Sequence, residues 1–139
     1  IIVMAVALCI SNKFYRENAV IFYIISLILL LLVDIYGMIS AGAQRWIRLG
    51  PVSLQPSELA KLSLILVLGY YYDAKKNMEV LALPDLLIPI ILTIIPVGLI
   101  IKQPDLGTAI LLLLIFISIM LYEGISIKLF FALTGAGLA

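Results

Sequence analysis

Two short segments place glutamine, proline and an acid at the start of an apolar run. They are Gln55-Pro56-Ser57-Glu58-Leu59 and Gln103-Pro104-Asp105-Leu106. Proline suits the first turn of a helix, where its missing N–H costs nothing. An acid in that turn faces the positive end of the helix dipole. Ordinary capping accounts for both prolines and for part of Asp105. It does not account for their company. Arg45 and Arg48 lie just upstream, and Lys61 follows Glu58 by three residues, so Glu58 and Lys61 share a helix face and can pair. Lys61 falls about one turn inside its apolar run, where a charge is costly and faces a bundle interior or a wet cavity. Guanidinium groups and helix N-termini both bind phosphate well. The constellation therefore suits an anionic, phosphate-bearing head group, with the acids free to orient the bases, bind a metal or accept a proton.

Other chemistries are excluded. The sequence has no histidine, which removes the commonest general base and metal ligand. The single cysteine, Cys9, lies in an apolar run, forms no metal-ligand spacing, and reads as a packing residue. No nucleophilic triad or Walker loop is present. A net charge of +1, with bases and aromatics that do not cluster, gives no case for nucleic acid. Asp34, near the end of its apolar run, either snorkels to the interface or joins the polar cluster. Trp46 and Tyr70–Tyr72 read as interface anchors. Gly107-Thr108-Ala109 reads as small-residue helix packing.

The elements that must position these residues are membrane helices. Hydrophobic residues make up 65% of the 139 and charged ones 12%, with a mean hydropathy of +1.27; soluble domains carry about 25% charge. Apolar runs mark spans at approximately 1–10, 19–39, 58–72, 86–101, 106–122 and 129–139 of a single all-α transmembrane bundle, a full crossing needing ~20 residues. The first and last runs look truncated, so the sequence is expected to be a piece of a longer protein. Between the second and third spans, Arg45–Leu49 and Val52–Leu54 flank Gly50-Pro51 and read as two short strands about a turn. Span 86–101 contains Pro89 and Pro96, which membrane helices tolerate as kinks. Loop bases Lys13, Arg16, Lys75, Lys76 and Lys128 fall on one side, and Arg45, Arg48 and Lys102 on the other. The positive-inside rule puts the first set in the cytoplasm, so both helix starts face outward.

Three motifs, in order, resemble the signature of the SEDS family (shape, elongation, division and sporulation). They are Gly42-Ala43-Gln44-Arg45-Trp46-Ile47-Arg48-Leu49-Gly50, Gln55-Pro56-Ser57-Glu58-Leu59-Ala60-Lys61 and Gln103-Pro104-Asp105-Leu106-Gly107-Thr108-Ala109. Val33-Asp34 before the first leans towards the rod-shape branch. The resemblance implies a bundle of about ten helices in the bacterial cytoplasmic membrane that polymerises lipid II into peptidoglycan glycan strands during elongation. It implies a class B penicillin-binding protein and other elongation-complex membrane proteins as partners. It carries Arg45, Gln55, Glu58, Lys61 and Asp105 over as cavity residues, and Arg48 and Gln103 join them as candidate cavity or substrate-binding residues. It places the family's candidate catalytic aspartate beyond Ala139, so none of these is assigned as the base, and this chain alone is expected to be inactive. No cofactor is evident, though a divalent cation could assist. A lipid-linked-precursor flippase and a non-catalytic scaffold are the rival readings.

Overall fold

A computed structural model of the chain describes residues 11–36, 38–40, 43–49, 52–75 and 83–123. The expected runs at 1–10 and 129–139, with Cys9, Lys76 and Lys128, lie outside the described residues. The described elements are α1 (Asn12–Tyr36), β1 (Met38–Ser40), β2 (Ala43–Leu49), β3 (Val52–Leu54), α2 (Pro56–Ala74), α3 (Leu83–Lys102) and α4 (Leu106–Tyr122). The described residues thus form four helices and a small antiparallel meander of order β1-β2-β3, packed against α1 and α2.

Each helix starts and stops for local reasons. Ser11 caps α1 by accepting the Phe14 amide on its hydroxyl at 3.3 Å. At 25 residues α1 is about 37 Å long, enough to cross ~30 Å of hydrocarbon. It ends at Tyr36, so the last residues of the expected run 19–39 are not helical. Gly37, a poor helix former, follows, and Met38–Ser40 pair with β2 instead. The two strands expected from sequence are β2 and β3, with Ile47, Arg48 and Leu49 opposite Leu54, Ser53 and Val52. The third strand comes from the end of the apolar run. Pro56 is the first residue of α2, as expected. Pro104 is not in a first turn: α4 is capped by Asp105 and begins at Leu106. The short acid of Asp105 accepts a backbone amide and starts the helix itself, which leaves Pro104 in the preceding turn.

The outside of the bundle is apolar and part of the inside is polar. Ile35 is 66% exposed and Leu106 63%, while Ser26, Ser63, Thr93, Gln103 and Thr108 are buried. Large aliphatic side chains facing outward suit lipid, and small polar residues facing inward let helices approach and bond one another. By length and composition, Asn12–Ile35 and Asp85–Lys102 are each able to cross a bilayer.

Side-chain contacts fix the helix directions. Arg16 at the start of α1 pairs with Asp73 at the end of α2, and Ser26 meets Ser63 half-way at 2.7 Å, so α1 and α2 run antiparallel. One of these two hydroxyls donates to the other, and the second donates back to its own helix, to the Tyr23 or Ala60 carbonyl. The Tyr23 hydroxyl reaches the Leu92 carbonyl and Lys102 reaches Asp34, so α3 runs parallel to α1. The Tyr72 hydroxyl lies 2.8 Å from the Met120 sulfur, which brings the ends of α2 and α4 together.

The prolines of α3 explain two of these contacts. Pro96 has no N–H to give the Leu92 carbonyl, and Pro89 has none for the Asp85 carbonyl. Tyrosine hydroxyls from neighbouring helices fill both gaps: Tyr23 of α1 bonds the Leu92 oxygen at 2.7 Å, and Tyr71 of α2 bonds the Asp85 oxygen at 3.0 Å. Such groups must be satisfied inside the protein when the surroundings are lipid. The tyrosine triplet is thus only partly an interface belt. Tyr70 is exposed, Tyr71 is half-buried, and Tyr72 is buried, because successive helical residues turn about 100°.

Tyr23→Phe in the full-length protein is expected to cost about 1 kcal/mol, read as a lower melting temperature in detergent. In a Pro96→Ala background the new amide can satisfy Leu92. The same Tyr23→Phe change should then cost clearly less. Equal costs in the two backgrounds would count against the exchange.

Candidate functional site

One end of the bundle collects the end of α1, the whole meander, the start of α2, the end of α3 and the start of α4. This follows from the helix directions above, and it brings the sequence-derived residues to a single end. The opposite end holds the Arg16–Asp73 pair and a Lys75–Asp85 pair. There the Asp85 carboxylate, and then the Tyr71 hydroxyl, hold the Lys75 ammonium above its usual pKa.

Glu58 and Lys61 form the pair that their spacing implies, with Lys61 Nζ 2.8 Å from Glu58 Oε1. The lysine side chain is 22% exposed and the glutamate 58%, so the pair sits at a boundary. Glu58 occupies the first turn of α2. Gln55 is the N-cap residue, but its side chain makes no capping bond. Ser57 beside it is buried, and its hydroxyl has no hydrogen-bond partner among the described residues.

Asp105 is buried at 7% exposure and serves the start of α4. One carboxylate oxygen accepts the Thr108 amide at 3.3 Å, and the other accepts the Thr108 hydroxyl at 2.8 Å. Thr108 was legible from sequence only as a packing residue. Gln103 is also structural: its side-chain amide donates to the Leu30 carbonyl of α1 at 2.9 Å, in a buried position. The turn is tightened by the Gln103 and Asp105 amides, which both donate to the Ile100 carbonyl. Asp34 does more than snorkel. It accepts from Lys102 Nζ at 2.9 Å, an ion pair between α1 and α3 that sequence spacing could not show across 68 residues.

Arg45 and Arg48 lie on β2, which runs against both α1 and α2. Their side chains, and that of Trp46, lie outside the described residues. Among the described residues no group of three acidic or cysteine side chains converges as a metal site. Chemically, this end offers lysines already neutralised by carboxylates, an uncapped helix start with an unpartnered hydroxyl, and a strand bearing two arginines. Such an arrangement can receive an anion by exchanging one carboxylate partner for it.

A family model described as cell cycle protein, FtsW/RodA/SpoVE, matches residues 1–139, and the chain belongs to that family. It is the family that the three motifs resemble, and its members include membrane proteins of peptidoglycan synthesis. The chain is 37% identical over 129 residues to the peptidoglycan glycosyltransferase MrdB of Escherichia coli K12, covering 93% of this chain and 34% of that protein. It is 39% identical over 118 residues to a probable peptidoglycan glycosyltransferase FtsW of Buchnera aphidicola, covering 85% and 31%. The chain thus spans about a third of the length of these curated relatives. Among solved structures, a chain of a peptidoglycan synthase complex that coordinates polymerization and crosslinking superposes with a TM-score of 0.81 at 34% identity, covering 94% of this chain and 38% of that one. The rod shape determining protein RodA of Thermus thermophilus gives 0.77 at 35% identity, covering 93% and 42%. The apolar exterior and this membership together make the chain part of a membrane protein.

Asp105→Ala in the full-length protein is expected to destabilise by about 1 kcal/mol, the usual cost of an N-cap. Asp105→Asn keeps an acceptor for the Thr108 amide and should recover most of that loss. Thermal unfolding in detergent reads both. Equal destabilisation by the two would show that charge, not capping, holds the turn.

Proposed function

We propose that the full-length protein is a peptidoglycan glycosyltransferase of the cytoplasmic membrane, crossing it several times through helices that include the six runs named from sequence. Its substrate is lipid II. A sugar hydroxyl of one lipid-linked disaccharide attacks the anomeric carbon of another, the glycosidic bond forms, and undecaprenyl pyrophosphate leaves. A base must take the hydroxyl proton, and cations must meet the charge on the leaving group. Arg45, Arg48 and Lys61 take the second role, directly or through a divalent cation. Glu58 holds Lys61 in place until substrate arrives. Gln55, Gln103 and Asp105 shape the cavity, the last two by fixing the α3–α4 turn. The base comes from outside this chain.

The observation that carries this reading is the gathering of the meander, the Glu58–Lys61 pair and the Asp105 cap at one end, in a chain similar to named glycosyltransferases along nearly its whole length. That end faces outward, and the Lys75 end faces the cytoplasm. The solved synthase complex supports a class B penicillin-binding protein as partner, within a larger assembly of elongation membrane proteins.

The flippase alternative takes the kinks at Pro89 and Pro96 of α3, and charges inside the membrane, as suited to alternating access. Both freed carbonyls are held by tyrosines of α1 and α2, so α3 is pinned where a rocking helix would need release. That weighs against alternating access. A polymerisation assay of the full-length protein with labelled lipid II and its partner separates the readings. Glycan ladders are expected. Translocation of lipid II without ladders would favour the flippase, and neither activity would favour a scaffold. Lys61→Ala should reduce ladder formation by about 10²-fold, the scale for losing one charge-stabilising group. Near-normal polymerisation by a well-expressed variant would return Lys61 to a packing role.

Sidedness is tested separately. A Lys75→Cys variant in intact cells should resist an impermeant thiol reagent and react after permeabilisation. Labelling of intact cells would reverse the orientation and move the proposed site to the wrong face.

A further inference from the structure

The seam between α1 and α2 opens into two cavities, one of about 250 Å³ and one of about 190 Å³. Tyr15 and Leu66 line both, so the two are neighbours along the helices. The lining changes character along this line. Asn12, Arg16 and Tyr70 surround the wider part, at the end of the bundle remote from the proposed catalytic site. Phe22, Ile25, Leu59 and Leu62 surround the narrower part, which runs towards the middle of the bundle. Ile25 and Leu62 are exposed, so the groove opens onto the apolar exterior.

Gly69 is what keeps the wide part open. A Cβ built there would meet no atom within 4 Å. Arg16 touches Asp73 but remains 62% exposed. A guanidinium has five N–H donors in a planar fork, and one carboxylate contact leaves others to offer. The Asn12 side-chain amide lies one turn earlier on the same helix. Lys13, three residues before Arg16, is an exposed base at this end in a loose pair with Glu17 at 3.7 Å.

We propose that this seam is a binding site for a membrane glycerophospholipid. The phosphate sits on the Arg16 guanidinium and the Asn12 amide, and one acyl chain lies along the groove past Leu66 towards Ile25 and Leu62. Three features favour this occupant. The polar-to-apolar gradient follows the amphipathy of a phospholipid. The basic residues stand where helix ends meet head groups, and basic pockets between membrane helices bind anionic heads. The cavities are also too small for the body of another helix, about 10 Å across, but open enough for a single chain. Its head-group end lies at the opposite end of the bundle from the Glu58–Lys61 pair, and the proposal does not depend on the catalytic reading.

The full-length protein, delipidated in detergent, is titrated with dioleoylphosphatidylglycerol, with dioleoylglycerol, and with inorganic phosphate. Phosphatidylglycerol should raise the melting temperature by about 5 °C near a hundredfold excess over its Kd. The diacylglycerol and free phosphate should each give little. Gly69→Phe fills the groove and should abolish the shift, whereas Gly69→Ala should keep it. Arg16→Gln should also abolish it, while Asp73→Asn, which breaks the same ion pair but keeps the guanidinium, should retain it. An equal shift from diacylglycerol would overturn the phosphate role, and an equal shift from inorganic phosphate would overturn the lipid. If Gly69→Phe unfolds the lipid-free protein as strongly as it removes the lipid effect, the groove is filled by protein and the proposal fails.

Discussion

Lipid does not hydrogen-bond the backbone, and this constraint orders the rest of the structure. Every carbonyl that loses its helical partner inside the membrane must find another within the protein. In α3 two prolines create such losses, and two tyrosines on two different helices answer them. The same rule places Ser26 against Ser63 and turns the Thr93 hydroxyl back to the Pro89 carbonyl. The bundle is therefore held by a set of polar contacts at fixed depths together with a packed apolar core that includes Leu30, Leu64, Leu68, Ile100 and Leu112. Apolar side chains are free to face outward, and many do.

That scheme also decides where charge can reside. Ion pairs collect at the two ends: Arg16–Asp73 and Lys75–Asp85 at one, Glu58–Lys61 and Asp34–Lys102 at the other. The middle of the bundle uses neutral hydroxyls. The two ends differ in what surrounds their charges. One is a pair of interhelical clamps beside helix ends. The other adds a β-meander, a helix start without a side-chain cap and a buried serine hydroxyl that has no partner among the described residues, which together leave hydrogen-bonding capacity unused. The proposed catalysis needs such unused capacity, and a structural clamp does not.

Much of this was readable in the residues. The apolar runs located the four described helices, because a bilayer demands length. They missed the polar first turns of α1, which starts at Asn12 and not at Ala19 because a helix extends beyond its apolar run into the head-group region. Gly50-Pro51 between β-prone segments gave two of the three strands. The Glu58–Lys61 pair followed from helical spacing alone. What stayed hidden was tertiary. Asp34 and Lys102, or Tyr23 and Leu92, are about 70 residues apart in sequence, and no periodicity joins them. The parallel between Pro56 and Pro104 failed for a local reason: aspartate caps a helix with its own side chain, and glutamine at Gln55 does not. The tyrosine triplet misled because tyrosine favours both the interface and a carbonyl in need of a donor. Proline positions held the missing clue, since each Pro at position i marks a free carbonyl at i−4.

The tyrosine–carbonyl bonds also bear on how the chain is made. α1 leaves the ribosome before α2 and α3, and with α2 it can close a hairpin through the two serines and the Arg16–Asp73 clamp. Leu92 does not yet exist when Tyr23 enters the bilayer, so that hydroxyl travels without its final partner. When α3 inserts, it brings two unsatisfied carbonyls that no residue of its own can cover. Docking onto the waiting hairpin removes both deficits at once. The prolines thus supply, in a medium where hydrophobic attraction between helices is absent, a reason for the later helices to join the earlier ones in a single register.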